Sequence, residues 1–131
     1  MLVLLLLACL PEATHIDPPA AGEVAPITAP APAPAPADPV AAMRAQPLDY
    51  TRHARCRMGC RKFDEGEVKA ILATGTLDPD RSRHDGECPS HALEGTTSDG
   101  QHARMVFAAC SDETRVVTVI DLDTDWPCDC D

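Results

Sequence analysis

The chain has 131 residues, with 21 acidic against 11 basic side chains, a formal net charge of −10, seven cysteines, 13 prolines and an aromatic content of 3%. That length holds one domain, and the acidity excludes a broad nucleic-acid-binding surface, because a phosphate backbone is held mainly through clustered Lys and Arg. Seven cysteines in so small and aromatic-poor a chain are the feature to explain.

Residues Leu2 to Ala8 form an unbroken apolar run that meets Cys9 and then Pro11. A bilayer-spanning helix needs about 20 apolar residues, so this run is too short to span, but it fits the apolar core of a secretory signal. Leu6-Leu7-Ala8-Cys9 resembles the lipobox of bacterial lipoproteins, in which the signal is cut before the cysteine and the thiol carries the lipid. No Lys or Arg precedes the run, a departure from the basic start of such signals. The expectation is a signal peptide over 1–8, lipidation at Cys9 and membrane attachment through that lipid. Leu10 in the place where Asp would hold the protein at the inner membrane points to the outer membrane.

Ten of the 13 prolines fall between Pro11 and Pro47, around an alternating Ala-Pro core from Ala29 to Pro36. Alternating Ala-Pro makes neither helix nor ladder and favours polyproline II at about 3.1 Å per residue, so the stretch spans on the order of 100 Å. Residues 9–48 are therefore read as a lipid-anchored linker, with a polyproline ligand as the sharper alternative.

Residues 49–131 have ordinary globular composition and hold the other six cysteines. About 80 residues bury a modest core, so cross-links would add materially to stability. Thr51 is placed to cap a helix over 52–62, and Asp64 to cap a second that Gly75 stops. Strands are expected over 91–97, 101–110 and 115–122. The predicted class is α+β, two N-terminal helices followed by a small antiparallel sheet of three or four strands.

Ser98-Asp99-Gly100 fits a three-residue hairpin loop with glycine in the left-handed position. That loop sets a register with Glu94 opposite Arg104, Thr96 opposite His102 and Cys88 opposite Cys110. A two-residue Asp-Gly turn would instead set Cys88 against Ser111. The longer loop is preferred because it makes an ion pair and brings two cysteines together.

The run Thr51-Arg52-His53-Ala54-Arg55-Cys56-Arg57-Met58, then Gly66-Glu67-Val68 through Ile71-Leu72 to Gly75, Leu93-Glu94-Gly95, Gly100-Gln101, Arg104-Met105-Val106-Phe107 and Val117-Thr118-Val119-Ile120 resembles the bacterial family called domain of unknown function 4258. The resemblance covers nearly all of 49–131 and none of the linker. It implies two helices followed by an antiparallel sheet, and a place beside small ribonucleases and toxins of the barnase-like and RelE-like kind. In that reading a general acid/base and cations would serve RNA cleavage, with His53, Arg57 and Arg104 at the matching positions and Thr118 as a polar helper.

Other readings of the same residues need no catalysis. Residues 52–62 hold five Lys or Arg and no acid, while 121–131 hold five aspartates and no base, so the two segments would attract each other. Glu94 with Arg104 suits a structural cross-strand pair. Asp121, Asp123 and Asp125 begin a calcium-loop pattern, but Trp126 and Pro127 follow and no Glu closes it. Cys56 and Cys60 lie one helical turn apart, and Cys128 alternates with Cys130. These four suit either a thiolate zinc site or, in an oxidising compartment, disulfides. Direct Cys56–Cys60 pairing is strained, since their Cβ atoms start about 5–6 Å apart and a disulfide wants about 3.8 Å. The expected framework is Cys88 with Cys110, and the helix cysteines with the tail cysteines in two further bridges. No cofactor is expected. The leading functional expectation is a non-enzymatic envelope lipoprotein that binds a protein or small ligand; the alternative is the ribonuclease-like enzyme.

Overall fold

The computed structural model describes residues 38–131 together with Gly22, Ala29 and Pro30. The expected signal, Cys9 and most of the expected linker lie outside those residues. From Asp38 on, the elements run α1 (Pro39–Ala45), β1 (Leu48–Tyr50), α2 (Arg52–Arg61), α3 (Glu65–Thr74), β2 (Thr76–Arg83), β3 (Ser90–Thr96), β4 (His102–Ala109) and β5 (Thr114–Asp121). The class is α+β. The strands form one sheet in the order β1-β5-β4-β3-β2, with β1 parallel to β5 and the remaining pairs antiparallel.

The sheet is thus five-stranded and mixed, and three helices precede most of it, where two helices and three or four antiparallel strands were expected. Helix α1 falls inside the stretch read as linker. Its start has a physical cause: Asp38 accepts a hydrogen bond from Val40 N at 2.9 Å, and Pro39 takes the first helical position, where the missing N–H costs nothing. Val40 and Met43, three residues apart, then enter the core together. Strand β2, with the polar sequence TLDPDRSR, lies at the sheet edge, and its pairing with β3 is interrupted between Asp78 and Arg83. An edge is where Pro79 and a run of charges are tolerated.

The elements read from local signals stand close to where they were placed. The Thr51 hydroxyl accepts from Ala54 N at 3.0 Å. Asp64 and Glu67 form a reciprocal capping box at 2.8 and 3.0 Å, which ties off two otherwise unpaired N–H groups at the start of α3. The three-residue loop sets β3 against β4: Gly100 has φ +93°, Thr97 N donates to Gln101 O at 2.9 Å, and Glu94 faces Arg104 while Thr96 faces His102.

Along β4, Ala103, Met105 and Phe107 point into a core shared with Leu93, Val116 and Val119. Met43, Ala54, Met58, Val68, Ile71 and Leu72 of the helices complete it, so the helices cover one face of the sheet. Alternation puts Arg104 and Val106 on the other face.

The seam between α3 and β3 is tight. A Cβ on Gly75 would lie 2.5 Å from Ile71 O and 3.2 Å from Glu94 O. Gly75→Ala must therefore shift backbone, and should cost about 1–3 kcal/mol in urea unfolding; an unchanged midpoint would contradict this approach of helix to strand.

Candidate functional site: the helix–tail clamp and its neighbouring clefts

Helix α2 has a narrow apolar stripe, with Ala54 and Met58 its buried residues. What binds it further is covalent. Cys56 is joined to Cys130 and Cys60 to Cys128, with Cα–Cα separations of 5.7 and 5.8 Å. Four residues of helix rise about 6 Å, and two residues of extended chain advance about 6.6 Å. C-x3-C on a helix therefore matches C-x-C on an extended tail, rung for rung. The third bridge joins Cys88 to Cys110. All four cysteines of the alternative zinc site are taken up in these disulfides.

Noncovalent contacts follow the same line. Arg57 lies 3.7 Å from Asp131, and His53 Nδ1 lies 3.2 Å from Cys130 O, so the basic helix and the acidic tail do lie together. The turn into the tail is organised by Asp121. Its Oδ1 accepts from Asp123 N and Thr124 N, both at 3.0 Å, and its Oδ2 from Trp126 Nε1 at 2.9 Å and Gln101 Nε2 at 3.1 Å. The Trp126 indole first, then Gln101 and the backbone N–H groups, hold this carboxyl below the usual aspartate range. With both oxygens occupied by N–H donors, Asp121 serves as a turn anchor. Gln101 also donates to Arg61 O at 2.9 Å, and Arg61 donates to Val119 O, so loop, helix and strand meet here.

The four residues of the ribonuclease-like reading divide between two places. His53 borders a cleft of about 470 Å³ formed by Arg52, Cys56 and the tail residues Asp129 to Asp131, with Arg57 one turn further along α2. Arg104 lies on the face of the sheet turned from the helices, with Nε 2.7 Å and Nη2 2.6 Å from Glu94 Oε1, and Asp78 at 3.7 Å. Thr118 pairs with Val106 on that same outer face. A base and the cation meant to assist it are thus separated by the thickness of the sheet, and Arg104 is neutralised by two carboxylates.

Two features had no sequence signal. His91 is buried; its Nδ1 has no hydrogen-bond partner among the described residues, and the His84 ring lies 5.7 Å away. Burial first, and His84 second, push its pKa below the ordinary histidine value. The other is a cleft between α1, β1 and α3, of about 500 Å³, at which Tyr50 is buried. It is formed by residues from Arg44 to Ala73, and its first wall belongs to the segment that reads as linker.

A family model for Domain of unknown function (DUF4258) matches residues 50–121. The chain belongs to that family. No curated protein and no solved structure matches it. The DUF4258 match takes in α2 through β5; α1 and the tail carrying Cys128 and Cys130 lie outside the matched segment.

Two outcomes are expected. The clamp bridges close nearly the same long loop, with sequence separations of 74 and 68, so removing both pairs by Cys→Ala should lower unfolding free energy by about 2–4 kcal/mol or more in urea titration, and removing one pair should cost less. Equal midpoints with and without reductant would refute this. For His91, the depressed folded pKa means the unfolded chain binds more protons below about 6.5. Stability should therefore be full above that pH and fall as pH drops through it. His91→Leu should flatten that slope between pH 7.5 and 5; a slope identical to wild type would exclude His91 as its source.

Proposed function

We propose that this DUF4258 protein is a cell-envelope lipoprotein: a signal over 1–8, lipid at Cys9, an Ala-Pro stalk, and a disulfide-clamped domain that binds a protein or small ligand outside the cytoplasm and does no chemistry of its own. One observation carries the location: all six cysteines of the folded region are joined in three bridges, and such a framework belongs to an oxidising compartment. The Leu6-Leu7-Ala8-Cys9 resemblance supplies the anchor, and Leu10 favours the outer membrane. Among the described residues no helix is long and apolar enough to cross a membrane; in this proposal attachment is through the lipid at Cys9.

The non-enzymatic reading is supported by the separation of His53 and Arg57 from Arg104 and Thr118. The acidic surface gives no reason to expect nucleic acid as a partner.

Palmitate labelling with membrane fractionation tests the proposal. Wild type should take up label and sediment with membranes, and Cys9→Ser should lose the label. Alkylation without reductant should leave the six domain cysteines unmodified in both. A soluble, unlabelled wild type would overturn the anchor, and six free thiols would overturn the compartment.

A further inference from the structure

We propose that the Cys56–Cys130 bridge is a thiol-exchange site: a thiol attacks the Cys130 sulfur, Cys56 leaves as thiolate, and the end of the tail beyond Cys128 becomes a strap that reduction releases. The bridge joins two walls of opposite charge. In the cleft of about 470 Å³, Arg52, His53 and Cys56 stand on the α2 side, and Asp129, Cys130 and Asp131 on the tail side. Arg52 and His53 precede Cys56 by four and three residues, the spacings at which helix side chains are neighbours, and Arg57 follows it directly.

This placement of charge sets the direction of exchange. A disulfide opens faster when the departing thiolate is the better stabilised one, and a cysteine among cations holds its thiolate more readily than a free cysteine does. Cys56 meets that condition on α2. Cys130, between Asp129 and Asp131, does not. Attack on Cys56 would have to expel a thiolate beside two carboxylates, so the mixed disulfide forms on Cys130. A thiol is the only co-reactant. The first RS⁻ forms RS–S–Cys130 and frees the Cys56 thiolate; a second forms RSSR and frees the Cys130 thiolate; both thiolates then take up the protons the two thiols lost. The thiol is oxidised and the bridge reduced.

The other two bridges lack this combination. Cys56 is exposed, whereas Cys60, Cys88, Cys110 and Cys128 are half-buried. Cys60 lies in the last turn of α2, where the helix dipole disfavours a thiolate. Cys88 and Cys110 face a cleft with Glu87, Asp112 and Glu113, and the Arg115 there is already paired with Asp49 and Glu113. Those carboxylates repel an incoming thiolate and destabilise a departing one. Opening of Cys56–Cys130 has a limited reach: Cys60–Cys128 still ties the tail to α2, so only residues 129–131 come away. With them go the contacts of Cys130 O with His53 and of Asp131 with Arg57.

The inference goes beyond the lipoprotein reading, and its test uses a chain without Cys9, so the two fail separately. The full chain carrying Cys9→Ser would be pulsed with 2-mercaptoethanol, a neutral monothiol, quenched with iodoacetamide and mapped by peptide mass spectrometry at successive times. The first product should carry mercaptoethanol on Cys130 and the alkyl group on Cys56, in roughly tenfold excess over the reverse adduct and over any adduct at Cys88 or Cys110. Arg52→Glu, at an exposed position, should slow its appearance about threefold or more, and molar salt should bring wild type towards the rate of the variant. A first adduct on Cys56, earlier opening of Cys60–Cys128 or Cys88–Cys110, or an Arg52→Glu rate equal to wild type would each overturn the proposal.

Discussion

Helix α2 cannot hold its position by burial alone. A helix that turns two side chains inward gains little from the hydrophobic effect, at about 1.5–3 kcal/mol for a large one, and this one also gathers like charges, with Arg57 beside Arg61. The clamp answers both problems. Two disulfides tie the helix to the tail, and the tail brings aspartates to a helix that has none. Asp121, at the end of β5, then fixes where the tail leaves the sheet, and through Gln101 the hairpin loop and the end of α2 are tied to the same point. Packing of α2 on β5 depends on this arrangement.

The parts of the fold legible in the sequence were those with a local chemical cause. Thr51 and Asp64 mark helix starts because a short side chain must satisfy unpaired N–H groups there. Ser98-Asp99-Gly100 sets a strand register because a residue at φ +93° restricts the loop to few forms. That register places Cys88 beside Cys110 before any long-range information is used. The cysteines of α2 and the tail were legible by spacing, since side chains on one helix face and one side of an extended chain have to meet or diverge together.

What was not legible depended on neighbours distant in sequence. Helix α1 hides in an alanine- and proline-rich stretch: Asp38-Pro39 marks its start locally, but the packing of Val40 and Met43 in the core is what sets it apart from stalk. Strand β1 is three residues long and exists because β5 offers it a parallel partner. Strand β2 violates every compositional rule for a strand except the one that applies at an edge. The cleft follows from these omissions: with α1 read as linker it has no wall, and a lone tyrosine carries no pattern. The grouping of His53 with Arg57 was legible from helical spacing, whereas the distance to Arg104 was not, because family resemblance preserves order along the chain and not the face of the sheet on which a side chain emerges.

Four buried side-chain atoms lack a hydrogen bond among the described residues: Tyr50 Oη, Arg57 Nε, His91 Nδ1 and Gln101 Oε1. Each such atom costs about 1–3 kcal/mol, a heavy load for so small a core. A bridge that closes its own loop contributes about 2–4 kcal/mol, mainly by restricting the unfolded chain, so the bridges offset that cost from the other end of the equilibrium. Arg57 faces the tail through Asp131, and Gln101 joins Asp121 to Arg61 O, so both stand where helix, loop and tail meet. His91 lies one strand position from Ser90, near the Cys88–Cys110 bridge. Tyr50 instead borders the cleft between α1, β1 and α3, so the same physical symptom arises in separate parts of the domain.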